Sequence, residues 1–471
     1  MQSIRETTRY VTFFISSLQI SDIPNSNISV QNGCRCDTKV FWSAPFLSGG
    51  GYCSEAISLV KAIDKKGFDV HIQQHGDSVN QGFINGLAAH VLPCCLEQST
   101  LWKLINKRKR DRSPVVIEIC HSEPGAWKPA SFSTSDCPIF SHRRSYHIGR
   151  TMFETDRIPE GWISKMNRMD EIWVPSEFMK GIFEKGGATN VRVIGESVDT
   201  TFFRPIPSLR NHASIDAEQD PANQMNVTRA MLIKDVFEPH PTFGTSVDIF
   251  LSVFKWEMRK GWDILLDVYF HSFTLQDPVS LFIITQEYHE SVPIIDQVNS
   301  FILSHFSVNE RAILPHYSIL TDYAPEDYLP YFYNVVSIKA TAVVLPTRGE
   351  GWGRVAQEAM SCGVAVVTTG YGGPLTYVNE YNAYLIPIQG YIQEGAFAGH
   401  LLVEPNHTEF RLIMRKIQVH PEEARTKGEK ARIDMVERYS EDVFGTILER
   451  EFQRIGQEIL KRRVKQENAE L

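Results

Sequence analysis

The sequence predicts an α/β fold built as two parallel-sheet units in tandem. Three observations lead there. Short apolar runs alternate with amphipathic segments over most of the chain, the alternation lapses once and restarts, and 471 residues exceed what one hydrophobic core organises. A 42% hydrophobic, 22% charged composition without low-complexity blocks supports a folded globular chain throughout.

Residues 1–37 form an N-terminal extension, and the first unit spans 38–205. Val40-Phe41-Trp42 is its opening strand, followed by Ser48-Gly49-Gly50-Gly51 and a helix from about Cys53 to Lys65. Phe68–Ile72, Val115–Cys120, Tyr146–Phe153, Ile172–Val174 and Val191–Ile194 supply further strands. Periodicity fades across 206–245, where Asn, Asp, Pro, Gln and Ala dominate, which predicts a linker or insertion. The second unit spans 246–440. Ile249–Phe254 is a strand, and Trp262, Leu265, Leu266 and Tyr269 mark one face of the next helix. Leu281–Thr285, Ala342–Leu345 and Ala365–Thr368 are buried strands, a helix follows His407, and residues 441–471 form a C-terminal helix. Two such units hold a ligand in the cleft between them.

The formal net charge of -8 argues against a nucleic-acid partner, which needs clustered Lys and Arg. One basic run, Lys107-Arg108-Lys109-Arg110 with Arg112, is a solvated face, with peripheral membrane or partner contact as the alternative. No apolar run approaches the ~20 residues of a transmembrane helix. Val11–Ile20 loosely imitates a signal peptide but lacks a clean cleavage site. Cys34 and Cys36 are too closely spaced for the usual zinc pair, and Cys120 and Cys362 close apolar runs as buried thiols. A reducing, cytoplasmic setting is the expectation.

The chemistry concentrates between Ala342 and Pro374. The strand ending at Pro346 delivers the loop Thr347-Arg348-Gly349-Glu350-Gly351-Trp352-Gly353, and a helix from about Arg354 to Cys362 stops at Gly363. Three glycines ahead of a helix start let backbone N–H groups approach an anion, which the helix dipole favours. Glu350 in the loop and Glu358 on the helix offer two carboxylates to hydroxyl groups. Upstream, Lys255 follows a strand end, and Lys260 lies five residues on before Gly261. Two cations there suit a departing diphosphate. Each feature alone is common; their order within one α/β half is what points to chemistry.

These residues resemble a known family. Glu350-Gly-Trp-Gly-Arg-Val-Ala-Gln-Glu358 resembles the E-x7-E motif of family 4 glycosyltransferases, and Phe254-Lys-Trp-Glu-Met-Arg-Lys260-Gly261 resembles its phosphate segment. Thr151–Gly161, Trp173–Ser176 and Val193–Asp199 look like a group-1 subgroup, so the resemblance covers about 38–205 and 246–440. It implies a GT-B fold, a nucleotide-sugar donor in the interdomain cleft, retention of configuration and no cofactor or metal. Lys255 and Lys260 would bind the diphosphate and Glu358 the ribose. Glu350, with backbone from Gly351, Trp352 and Gly353, would hold the transferred sugar. Gly50 and Gly51 would lie near the donor phosphate, and the backbone at Leu320 and Thr321 near the base. His121, with Glu350 and Lys260, completes the implied catalytic set as a sugar contact, while Glu123 and Trp127 could equally shape the acceptor side. The family usually has Arg where Lys255 stands, and Lys loses bidentate phosphate geometry.

The implied reaction is front-face transfer to an acceptor hydroxyl, with the leaving phosphate as base. A nucleotide-sugar epimerase of the same fold and a silent nucleotide-sugar-binding module remain alternatives. Gly49-Gly50-Gly51 lacks the spacing of a dinucleotide fingerprint.

Overall fold

The computed structural model describes residues 38–80, 83, 115–142, 145–206, 241–243, 247–287, 292–321, 328–338, 342–393, 395 and 398–470. The N-terminal extension, the basic run at 107–112 and most of the 206–245 segment lie outside them.

The first unit is built from β1 (Thr38–Ala44), α1 (Gly51–Asp64), β2 (Asp69–Gln74), β3 (Val115–His121), β4 (Ser145–Arg150), α2 (Glu160–Met166), β5 (Glu171–Val174), α3 (Glu177–Lys185) and β6 (Val191–Val193). Alternate residues of β1, namely Val40, Trp42 and Ala44, are buried in the core. On α1 the buried Cys53, Ala56, Ile57 and Val60 repeat at i, i+3, i+4 and i+7, and Glu55, Ser58, Leu59, Ala62 and Ile63 are buried as well, because the helix packs on both the sheet and the chain's closing helix. The Ser176 side chain caps α3 by accepting from the Met179 amide at 3.1 Å. All six strands are parallel, in the order β2-β1-β3-β4-β5-β6.

The second unit repeats the plan with β7 (Asp248–Lys255), α4 (Trp262–Ser272), β8 (Val279–Gln286), α5 (Ile294–His305), β9 (His316–Leu320), α6 (Leu329–Ile338), β10 (Ala342–Leu345), α7 (Arg354–Ser361), β11 (Ala365–Thr369) and β12 (Tyr384–Ile386). Its parallel order is β12-β11-β10-β7-β8-β9. Two such α/β units make the GT-B architecture. An antiparallel hairpin, β13 (Ile388–Gln393) with β14 (Leu401–Pro405), precedes α8 (His407–Val419), α9 (Pro421–Arg438) and α10 (Glu441–Glu470).

In each sheet the chain runs outward from a central strand and then crosses to that strand's other side. The reversal falls between β1 and β3 in one sheet and between β7 and β10 in the other. Crevices at the carboxyl ends of such strands are where open α/β sheets bind ligands. Those ends carry Gly49–Gly51, His121, Lys255 and the Thr347–Gly353 loop.

The closing helix returns to the first unit. Phe444, Leu448, Phe452, Ile455 and Ile459 of α10 are buried, with the Phe452 ring 5.4 Å from Phe68 and 6.2 Å from Trp173. Lys65 Nζ adds an ion pair to Glu441 at 2.5 Å, and Arg454 to Glu171 at 2.7 Å. Among the described residues no helix is long and apolar enough to cross a membrane.

Cys120 requires a correction. It is not a thiol but is disulfide-bonded to Cys137, because the segment after β3 doubles back and brings the two Cα atoms to 5.7 Å. The compartment argument drawn from Cys120 falls with it. Cys362 is a buried free thiol, as expected.

Candidate active site

A cleft of about 770 Å³ opens between the two sheets. Both walls are helix starts. Gly50, Gly51 and Tyr52 bring the first turn of α1 to one side, and Gly353, Arg354 and Val355 bring the first turn of α7 to the other. Two helix N-termini facing one space favour an anion there.

Cations from β7 and the turn beyond it line the same space: Lys255, Arg259 and Lys260. The turn is fixed by Gly261, whose φ of 73° is left-handed and whose Cβ, if present, would lie 2.1 Å from the Pro346 carbonyl oxygen. Lys255 reaches across the cleft, since a Cβ placed on Gly50 would sit 3.8 Å from its Nζ and 4.0 Å from an Asp77 carboxylate oxygen. Burial lowers the Lys255 pKa, and Lys260 and Arg259 push the same way.

Lys260 Nζ donates to Glu350 Oε1 at 2.7 Å, and Arg259 Nη1 lies 3.6 Å from Glu350 Oε2. Burial by itself would raise the Glu350 carboxyl, but Lys260 and then Arg259 outweigh it and hold the acid below its ordinary range. Glu350 is therefore a carboxylate aimed into a cationic rim. Its loop is anchored by Arg348, which is paired at once with Asp263 (2.7 Å) and Glu404 (2.8 Å) and donates to the Met258 carbonyl at 2.7 Å. That one buried guanidinium ties α4, β14 and the Lys260 turn to the Glu350 loop. Close backbone approach completes the loop. A Cβ on Gly373 would lie 1.9 Å from the Gly351 oxygen, and Gly353 turns at φ 91° to start α7.

The residues singled out from the sequence separate into two groups. Lys255, Lys260, Glu350, Gly351, Trp352, Gly353, Gly50 and Gly51 share the cleft lining, as does Glu123. Glu358, His121, Trp127 and Leu320 are not among the lining residues. Glu358, on the first turns of α7, accepts from the Tyr333 hydroxyl at 3.0 Å. Leu320 ends β9 and packs against the core.

His121 lies beneath the cleft, fully buried under Tyr52, with ring centroids 5.6 Å apart. The indole Nε1 of Trp42 can only donate, and it meets His121 Nδ1 at 3.2 Å, so the ring's proton sits on Nε2. Nε2 donates to Glu55 Oε2 at 3.0 Å. Burial keeps this histidine neutral by lowering its pKa, against the pull of Glu55. Glu55 is also bound by Arg150 Nε at 2.6 Å, and Arg150 continues to the Ile194 and Gly195 carbonyls. Burial would raise Glu55, but Arg150 and His121 reverse that and hold it at about 2.

Several lining groups had no assigned role from the sequence. Arg354 Nη1 donates to Glu196 Oε2 at 3.1 Å, and Trp352 Nε1 donates to Gln357, which donates in turn to the Glu196 carbonyl. Burial, and then the neighbouring Glu55 charge, push Glu196 up to about 8. Arg259 stands inside the Lys255–Lys260 segment, and Arg354 directly follows Gly353, so both were adjacent to recognised positions. On the first unit's wall Asp77 and Glu123 both have raised pKa values, through burial first; Asp77 adds to the rise at Glu123.

The family model described as glycosyl transferases group 1 matches residues 310–402, which include the Glu350 loop and α7. No curated protein matches by sequence. Among solved structures the chain is similar to Anabaena HepE in complex with UDP and glucose, at 13% identity and a TM-score of 0.55 over 88% of this chain and 99% of that one. It is also similar to sucrose-phosphate synthase from Thermosynechococcus elongatus, at 13% identity and a TM-score of 0.58 over 89% and 98%. A glycosyltransferase from Rickettsia africae shows 15% identity and a TM-score of 0.53 over 90% and 98%. These likenesses establish the fold; the group 1 match supports glycosyl transfer.

Proposed function

We propose that this chain is a retaining glycosyltransferase that moves a sugar from a nucleotide-sugar donor to an acceptor hydroxyl without a metal. The observation that carries the reading is the convergence of Lys255, Lys260 and two helix N-termini on one cleft that also presents the Glu350 carboxylate. Lys255 and Lys260 neutralise the leaving diphosphate, the role a metal ion would otherwise play. Glu350 and the backbone of Gly351–Gly353 hold the sugar, and Glu358 takes the ribose hydroxyls after exchanging its bond from Tyr333. The acceptor enters on the first unit's side, past Asp77 and Glu123, and attacks from the face the diphosphate leaves. His121 acts through Tyr52 rather than by touching the sugar.

HepE was solved with UDP and glucose, so UDP-sugars are the first donors to assay. The test is a thermal-shift panel of UDP, GDP, ADP and their common sugars in EDTA, followed by NMR of the product anomer. One nucleotide family should raise Tm in wild type and not in Lys260→Ala. Absence of any shift from folded protein would overturn donor binding, and an inverted product anomer would overturn retention. Release of a free epimerised sugar without acceptor would replace transfer by isomerisation.

A further inference from the structure

At the opposite end of the first sheet from the cleft, the chain before β4, the first half of β4 and the turn before β5 bring His142, His147 and Asp170 together. One ligand atom from each lies within 4.8 Å of the others. We propose that these three side chains bind a zinc-class divalent cation, with water completing its coordination.

The protonation of His147 is fixed by its neighbours. The Ser145 hydroxyl donates to the Ser141 carbonyl at 3.2 Å, so its oxygen accepts from His147 Nε2 at 2.6 Å. Glu118 Oε2 stands 3.6 Å from the same nitrogen. The lone pair is therefore on Nδ1, and Nδ1 is buried with no hydrogen-bond partner among the described residues. The side chain is only 2% exposed, so leaving that nitrogen unpaired carries a desolvation cost. A metal-binding histidine typically has its other ring N–H held by an oxygen acceptor, as here.

Asp170 is oriented as firmly. Its Oδ2 accepts from the His147 amide at 2.8 Å, and its Oδ1 from Arg462 Nη1 of α10 at 2.6 Å. His142 Nδ1 lies 3.5 Å from Asp170 Oδ2, and its ring is 4.0 Å from the His147 ring. Zinc at about 2.0–2.2 Å from each donor needs ligand atoms roughly 3.4 Å apart. The half-exposed His142 is free to close the remaining distance, whereas the other two are already held. Two imidazoles and one carboxylate favour zinc over magnesium or calcium, which take oxygen ligands.

His147 is the third residue of β4, so three residues of that strand, a rise of about 10 Å, separate it from the strand's cleft-side end. A cation held by the cluster fastens β4 to the turn before β5, beside the Arg462 contact of α10, and the proposal rests on no part of the transferase reading. The test uses the full chain stripped with a chelator and titrated with zinc chloride, then separately with magnesium chloride. Wild type should bind one zinc per chain with a Tm rise of a few degrees, and magnesium should give none. His142→Ala, a change at an exposed side chain that leaves folding intact, should weaken zinc binding at least about tenfold. Failure of wild type to take up zinc, or equal uptake by wild type and His142→Ala, overturns the proposal.

Discussion

Lys260 Nζ sits 2.7 Å from Glu350 Oε1, joining the turn after β7 to the loop after β10 across the cleft's cationic rim. With donor absent, the lysine satisfies the carboxylate that the proposed function assigns to the sugar. Under the proposed function, the diphosphate brings a second anion to the same ammonium, which then positions one against the other.

The first prediction follows from that pair. Lys260→Ala leaves Arg259 at 3.6 Å as the nearest cation to Glu350, so the loop retains a partner while the leaving group loses one. Turnover of the accepted nucleotide-sugar should fall by about 10²-fold or more. Lys260 is partly exposed, so Tm should move by only a few degrees. Steady-state kinetics and a melting curve on the same preparation decide it; unchanged turnover refutes the assignment.

How much of this was legible beforehand divides by physical cause. The central strands β1, β3, β7, β10 and β11 announce themselves because both faces are covered, which demands near-continuous apolar runs. The glycine loop was legible because close backbone approach restricts residue type, and the lysine pair because it follows a recognisable strand end. The edge strands β9 and β12 and the β13–β14 hairpin were not. They are short or half-buried, and His316-Tyr-Ser-Ile-Leu320 carries no decisive period. Pairings between distant segments were invisible too. Nothing local joins Cys120 to Cys137, Glu55 to Arg150, or α10 to the first sheet. His121 stands at a strand end facing the cleft, yet Tyr52 from α1 covers it, which only the packing reveals.

The charges under the cleft set a pH dependence. Two guanidiniums serve three carboxyls in this buried cluster: Arg150 pairs with Glu55, and Arg354, also near Glu358, pairs with Glu196. Burial and Glu55 raise Glu196 from 4.5 to about 8. An acid raised in the folded state contributes stability below its unfolded value and loses that contribution as pH rises through the folded one. Wild type should therefore lose stability between about pH 5 and 9 more steeply than Glu196→Gln. Glu118, raised to about 7 mainly by burial, adds a loss of the same sign to both proteins and cancels in the comparison. Urea melts at pH 6 and pH 9 measure the difference; parallel pH profiles would mean Glu196 is already ionised in the folded state.

Gly373→Ala should damage the site more than the fold. The new methyl would meet the Gly351 oxygen at 1.9 Å and the Trp352 amide nitrogen at 2.8 Å, both backbone atoms that cannot swing aside. The Glu350 loop must shift, and a 1 Å displacement of a positioned group can cost about 10²-fold in rate. The β10 and β11 cores lie away from the collision, so far-UV circular dichroism should stay native while donor-induced thermal shift disappears. A variant that keeps both its circular dichroism and its donor shift contradicts the claim that this loop is backbone-packed.

Phe452→Ala tests whether the last helix belongs energetically to the first unit. Phe452 is 1% exposed and lies between Phe68, which leads into β2, and Trp173 on β5, more than 270 residues upstream of it in the second case. Truncating a buried Phe typically costs about 3–5 kcal/mol, from lost transfer energy and the cavity left behind. The ion pairs Arg454–Glu171 and Arg462–Asp170 are partly solvated and offset little of that. Tm should drop by several degrees, and hydrogen exchange should quicken in β2 and β5 while β8 and β10 stay protected. Equal loss of protection in both sheets would show that the two units unfold as one. Loss confined to α10 would show that the helix detaches without carrying the first sheet with it.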